Sequence, residues 1–196
     1  MLFEGAVACL LIALLAGGRP SRLARLQIRH GWAFLLGFAL QAALIPLALK
    51  GYPLVVRYAG AIHTLSFVPL FWGLWANRHQ WPLQVVAVGV LMNFLVIAAN
   101  GGRMPADARA VTQVRGPRTA RLLAQGRVAR HAVLRPHTPL GLLADRYALP
   151  RPYPWPCVFS AGDVVITLGV GALILVGMGA FGLGGKSQEA PASLPK

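Results

Sequence analysis

The sequence contains five predominantly apolar stretches, each close to the length of a helix that crosses a bilayer. They cover residues 2–18, 31–49, 54–76, 81–99 and 158–184. The apolar core of a bilayer is about 30 Å thick, and a helix crosses it with about 20 residues. Because no water is present there to satisfy backbone groups, such stretches cross as helices packed against one another. The sequence therefore predicts an all-α, multi-pass transmembrane helical bundle of about five spans.

Composition excludes an ordinary soluble protein. Charged residues make up 12% of the chain and hydrophobic residues 56%, whereas about 25% charged residues is usual for soluble domains. A net charge of +14 would suggest nucleic acid binding in a soluble protein. Here the arginines lie between the apolar stretches, so we expect them to contact anionic lipid headgroups, with no nucleic acid partner. We expect a multi-pass protein of the cell membrane.

We expect residues 1–185 to form one transmembrane domain and residues 186–196 to form a disordered tail. Glu4 stands where a signal peptide carries basic residues, so the first stretch is interpreted as a permanent span. Four arginines follow that stretch, and this charge step places the N-terminus outside and the C-terminus inside. Ten arginines in the long segment before the last span favour the opposite orientation, which stays open.

That long segment, residues 102–157, is predicted to be a polar, arginine-rich loop between the last two spans. Within it, residues 117–134 place apolar side chains at helical spacing opposite arginines, which predicts an interfacial helix broken or bent at Gly126. A solvated loop helix is the alternative. Four alternating prolines in residues 150–156 favour an extended, polyproline-like strap leading to the last span.

Three polar motifs flank this loop and give the candidate site. They contribute the possible binding residues Asn100, Gly101, Gly102, Arg103, Arg146 and Ser160, and the possible catalytic residues Asp145 and Asp163. Since the fourth span leaves the membrane on the face where the fifth enters it, we expect the motifs to meet there. An acid at the mouth of an apolar helix is costly and typical of a functional site. Ser160 and Asp163 also fit a helix-capping box, in which Asp163 would only stabilise the helix start.

Residues 100–105, His131, residues 138–145 and residues 159–163 together resemble the bacterial membrane family called domain of unknown function 5317. The resemblance covers nearly the whole chain. It implies a multi-pass bacterial membrane protein and no established activity.

The last half of the chain is also similar to lipoprotein signal peptidases, which carry three comparable motifs in the same order. By that resemblance, Asp145 and Asp163 would form a catalytic dyad acting on a membrane-anchored peptide, one as a base and the other as an acid. Asn100 would orient the substrate and Arg146 would bind a headgroup. Leu142 and Ser160 replace asparagines of that family, and two spans that separate its first two motifs have no counterpart here.

Three interpretations therefore stay open: an uncharacterised membrane protein with a polar site at one face, an intramembrane aspartyl peptidase, and a module that binds anionic lipid or a partner protein. No metal-ligand spacing or cofactor motif is present, so we expect neither a metal nor a cofactor. Interhelical hydrogen bonds explain the polar residues inside spans two to four, which are Gln41, His63 and Asn93.

Overall fold

The computed structural model describes residues 2–182, except for the side chain of Leu49. Its helices are α1 (Leu2–Leu15), α2 (Pro20–Leu23), α3 (Gly31–Leu49), α4 (Pro53–Leu65), α5 (Phe67–Ala76), α6 (Trp81–Ala99), α7 (Ala108–Ala124) and α8 (Ala161–Met178). Four segments are long and apolar enough to cross a membrane: Gly31–Ala48, Pro53–Ala76, Trp81–Ala99 and Ala161–Met178. This confirms the all-α membrane bundle. The expected tail, residues 186–196, lies outside the described residues, as do residues 183 and 184 of the fifth stretch.

The first apolar stretch forms a shorter helix than expected. Helix α1 has 14 residues, which gives a length of about 21 Å at 1.5 Å per residue. The chain turns at Gly17, whose φ is +78°, and Gly18 N donates to Ala13 O. Residues 16–18 of the predicted span therefore form the turn and lie outside the helix.

Helices α6 and α8 form the centre of the bundle, and glycines let their backbones come close. A side chain at Gly89 would collide with the backbone of Gly162, and one at Gly169 would collide with the backbone of Val86. Small residues at helix contacts are the usual basis of close packing inside membranes. This packing places the start of α8 beside Gly89, in the middle of α6.

The segment between α6 and α8 was predicted to be a loop, but residues 103–159 fold into strands and a helix, which together we call the folded unit. Strand β1 (Met104–Ala106) pairs in parallel with β2 (His131–Val133), and β3 (Tyr147–Leu149) pairs antiparallel with β4 (Cys157–Phe159). A bridge between Ala106 and Asp145 joins the two pairs. Within the unit, the strands pack against α7. The unit as a whole packs against α6 and α8.

The helix of this unit lies earlier in the sequence than predicted. It covers Ala108–Ala124, not residues 117–134, and residues 131–133 are a strand. Asp107 caps its start by accepting hydrogen bonds from the backbone of Arg109 and Ala110. Its Val111 and Leu123 pack against Ala106. Because these apolar side chains cover the strands, they are not free to face lipid headgroups as the interfacial-helix prediction requires.

The extended strap predicted for residues 150–156 is also wrong. The chain reverses direction there, because β3 and β4 pair antiparallel on either side of it. The rings of Tyr147 and Phe159 stack across this pair with centroids 5.5 Å apart. The prolines therefore lie in a turn of the hairpin.

Candidate functional site

The start of α8 is built by Ser160 and Asp163. Ser160 is fully buried, and its Oγ accepts a hydrogen bond of 3.1 Å from Asp163 N. In return, Asp163 Oδ2 accepts one of 2.9 Å from Ser160 N. These reciprocal bonds satisfy two backbone donors that a helix start leaves free. The capping interpretation of this motif is therefore present in the structure.

Asn93 of α6 completes this cap from the neighbouring helix. Its Nδ2 donates to Asp163 Oδ1 at 2.9 Å, and its Oδ1 accepts from Ser160 Oγ at 3.0 Å. Gly162 leaves the space that the Asn93 amide occupies. Asn93, Ser160 and Asp163 thus form a closed ring of hydrogen bonds, which we call the cap ring. Both carboxylate oxygens of Asp163 are used within it.

Asp145 lies in a different environment, on the joint between the two strand pairs. Its backbone N donates to Pro105 O, and its carbonyl accepts from Asp107 N, each at 2.9 Å. The residue is 8% exposed, and its Oδ2 lies 3.5 Å from His131 Nε2. Burial raises the pKa of the Asp145 carboxyl, whereas the hydrogen bond and charge of His131 oppose this rise.

The charge of Asp163 also raises the pKa of Asp145, so the two carboxyl groups are near enough to interact electrostatically. They nevertheless have separate partners. The Asp163 carboxylate is bound within the cap ring, whereas the Asp145 carboxylate faces the imidazole of His131. A dyad needs two carboxyl groups that share a proton. The peptidase interpretation stays a prediction that gains no support from these contacts.

The motif at the end of α6 ties the bundle to the folded unit. Both N–H groups of the Asn100 amide donate to backbone, to Val96 O at 2.7 Å and to Pro139 O at 3.0 Å. Gly101 and Gly102 have φ values of +65° and +79° and end the helix. His63 Nδ1 donates to Gly102 O at 2.8 Å. Asn100, Gly101 and Gly102 therefore have structural contacts of their own.

A cavity of about 620 Å³ lies between the bundle and the folded unit. One wall is apolar and comes from the C-terminal half of α3 and the N-terminal half of α4. The other comes from α7 and the strands. The charged and titratable residues that line it are Arg103, Arg115, Arg127, Arg130, His131 and Asp145; its apolar lining includes Ile45, Ala48, Val56, Ala59, Val111, Leu122, Leu123 and Val158. Its volume and mixed lining are typical of a small-molecule site.

Arg130 is the most constrained of these arginines. Its Nη1 donates to Gln41 O at 3.0 Å, while its Nε is buried and has no acceptor among the described residues. Burial lowers the pKa of Arg130, and the charge of Asp145 opposes this shift. Gln41 Nε2 is a second buried donor without a described partner. Buried donors without acceptors are rare in folded proteins, and a water, an ion or a ligand can supply the acceptor.

Of the residues predicted from the three motifs, the cavity brings together only Arg103 and Asp145. Ser160 lies in the cap ring, and Arg146 is exposed. Arg115, Arg127, Arg130 and His131 also line the cavity and were not among the predicted site residues. Their signal was the density of arginine in residues 102–157, which predicts headgroup contacts without saying which arginines share a cavity. In residues 2–182, no group of three or more His, Cys, Asp or Glu could hold a metal.

A family model described as "Family of unknown function (DUF5317)" matches residues 25–175. The chain belongs to this family. The match includes the cap ring, Asp145 and every arginine of the cavity, so the resemblance seen in the sequence motifs is confirmed. Comparison with curated proteins gives no match, and neither does comparison with solved structures. This DUF5317 protein is therefore an integral membrane protein by its apolar helices, from a family whose activity is not known.

Proposed function

We propose that this DUF5317 protein is a multi-pass protein of the cell membrane that binds an anionic amphiphile in the cavity. The observation that carries the proposal is the division of the cavity wall. Apolar residues of α3 and α4 line one side of the cavity, and four arginines of the folded unit line the rest of the cavity. A lipid headgroup with its first methylene groups has the same division between charge and apolar surface.

The position of the cavity suits a ligand that arrives from the bilayer. Ile45 and Ala48 lie near the end of a membrane-spanning segment, and Val56 and Ala59 lie near the start of the next one. These helix ends approach the boundary between apolar core and headgroups, where an anionic amphiphile places its charge. Arginine suits this ligand because its planar guanidinium donates paired hydrogen bonds to phosphate or carboxylate oxygens.

The alternative is an arginine-rich surface that attracts anionic lipid without a defined site. Such attraction contributes about 1 kcal/mol per basic residue near the membrane, whichever residue it is. Specific binding in the cavity depends instead on the arginines that line it. The two cases differ in whether Arg115 and Arg118 matter equally, since both are exposed on α7 and only Arg115 is among the described cavity residues.

The test titrates dodecyl phosphate and dodecylphosphocholine into the protein in maltoside detergent and measures binding by calorimetry. We expect saturable binding of the anionic compound alone. Loss of a charge-assisted hydrogen bond in Arg130→Gln or Arg115→Gln should weaken it about tenfold, whereas Arg118→Gln should retain wild-type affinity. Equal losses in Arg115→Gln and Arg118→Gln would indicate nonspecific attraction and refute the proposal.

A further inference from the structure

We infer that the ligand of the cavity carries a phosphate group with at least two negative charges, a phosphomonoester or a diphosphate, rather than a singly charged phosphodiester. This inference rests on the proposed function. It concerns the chemistry of the headgroup, which the division of the cavity wall alone does not decide.

The lining of the cavity has an excess of positive charge. Four arginines line it, and Asp145 is the one acid among the described lining residues. With Asp145 ionised, the four arginines exceed the acid by three charges. Cations drawn together in a partly buried space repel one another and lose hydration unless anions compensate them. A phosphodiester supplies one negative charge, whereas a phosphomonoester supplies nearly two.

The arginines of the cavity also supply many hydrogen-bond donors. Each guanidinium has five N–H groups, and Arg130 uses Nη1 on Gln41 O while its buried Nε has no acceptor among the described residues. Arg103 is half-buried beside it in the same lining. A phosphomonoester offers three terminal oxygens that accept strongly, but a phosphodiester offers two. The monoester therefore satisfies more of the donors that the cavity presents.

Asp145 has contacts that reduce the electrostatic repulsion between its carboxylate and such an anion. Its carboxylate faces His131 at 3.5 Å, and Arg130 is close enough to act on it electrostatically. A carboxylate that faces the His131 ring and the charge of Arg130 is partly compensated before the ligand arrives. Arg103, Arg115 and Arg127, together with the Nε of Arg130, are left for the phosphate.

The experiment compares dodecyl phosphate with its methyl ester, which has the same chain and one ionisable oxygen fewer. Inorganic phosphate is titrated in parallel to separate a lipid headgroup from free phosphate. We expect dodecyl phosphate to bind at least about tenfold more tightly than either compound. Arg103→Gln and Arg115→Gln should reduce the preference over the methyl ester, and Arg118→Gln should leave it unchanged. Because Arg115 is exposed, its variant keeps the test valid if a substitution at a half-buried arginine prevents folding.

Equal affinity for dodecyl phosphate and its methyl ester, still lost in Arg115→Gln, would overturn this inference and leave the proposed function standing. Absence of saturable binding for both compounds would overturn both. Inorganic phosphate that binds as tightly as dodecyl phosphate would support the doubly charged phosphate but overturn the amphiphile.

Discussion

Asp163, at the mouth of an apolar helix, has hydrogen-bond partners that stabilise the start of that helix. Its carboxylate accepts from the Ser160 backbone and from the Asn93 amide, so both oxygens have donors. A helix N-terminus adds about 0.3 to 1 kcal/mol in favour of a negative charge. The residue that looked most like a functional acid therefore joins α6 to α8.

A double-mutant cycle tests the cap ring. Asp163→Ala removes a cap and an interhelical bond, and we expect a loss of about 1 to 2 kcal/mol in the free energy of unfolding. Asn93→Ala should cost less, because it leaves the capping box. Since the two residues share one hydrogen bond, the double variant should lose less than the sum of the single losses. Denaturation in mixed micelles measures all four proteins, and strictly additive losses would contradict the shared bond.

The pH dependence of stability tests the environment of Asp145. Because burial raises the pKa of this carboxyl, the folded protein holds the proton to higher pH than the unfolded chain does. The resulting stability is full below the unfolded pKa and is lost as pH rises through the raised value. Asparagine cannot ionise. When the pH is raised from about 4 to about 7, the free energy of unfolding of Asp145→Asn should therefore fall less than that of the wild type. Thermal unfolding in detergent across this range measures the difference.

His131 provides the control for that measurement. Its hydrogen bond and charge oppose the rise in the pKa of Asp145, so His131→Gln should raise that pKa further and make the loss of stability with pH steeper. The groups that act on Asp145 besides His131 are Arg130 and Asp163, and both are retained in these variants. Identical pH slopes for the wild type and Asp145→Asn would show that the carboxyl does not titrate in this range.

At the residue scale, the sequence predicted what depends on neighbours in the chain. Ser160 and Asp163 are three positions apart, so their capping box was readable directly. Asn93 joins them from 70 residues away, and only the close packing of α6 on α8 brings it there. An interhelical hydrogen bond was predicted for the polar residue inside that span, but its partner was not.

Among the elements, α4 makes a close backbone contact with the turn after α6. A side chain at Gly60 would collide with Gly101 O, and one at Gly102 would collide with the Gly60 backbone. The hydrogen bond from His63 to Gly102 O lies at the same contact. Two glycines here let the chain leave α6 and pass directly against α4.

Gly101 and Gly102 form a matched pair for testing this contact. Both have positive φ, but a side chain at Gly101 meets no atom within 4 Å. Gly101→Ala should therefore cost only backbone strain, roughly 1 kcal/mol. Gly102→Ala adds a collision with backbone, which cannot move aside as a side chain can, and should destabilise the protein by clearly more. Unfolding in mixed micelles compares the two variants, and equal losses would show that α4 and the turn are not in contact.

Helix α7 shows why the element boundaries of the folded unit could not be predicted. The spacing of apolar residues continues past Gly126, which suggested a helix to residue 134. The chain instead leaves the helix near Gly126, which has a φ of +68°, and His131 to Val133 pair with β1. That pairing joins residues 27 apart, such as Met104 and His131, and is not visible in local periodicity.

For the whole molecule, the apolar stretches predicted the bundle and the face on which the loop motifs lie. The cavity between α3, α4 and the folded unit was beyond prediction, because its wall combines residues from 45 to 158. Helix α1 is the exception in the bundle, since it is shorter than the other spans. It packs along α8, where Gly5 lies against Thr167 and Gly171 lies against Cys9. Its place in the bundle therefore depends on this packing, because it is not among the four helices long enough to cross a membrane.

The span count and the orientation can be tested separately with reporters fused after Arg25 and after Arg121. The three spans 31–48, 53–76 and 81–99 separate these positions, so the reporters should lie on opposite sides of the membrane. The charge step across α1 predicts a cytoplasmic reporter at Arg25 and an external one at Arg121. The reverse result would correct the orientation and keep the span count. Both reporters on one side would contradict the three crossings, and with them the shared face on which α3 ends, α4 begins and the arginines of the cavity lie.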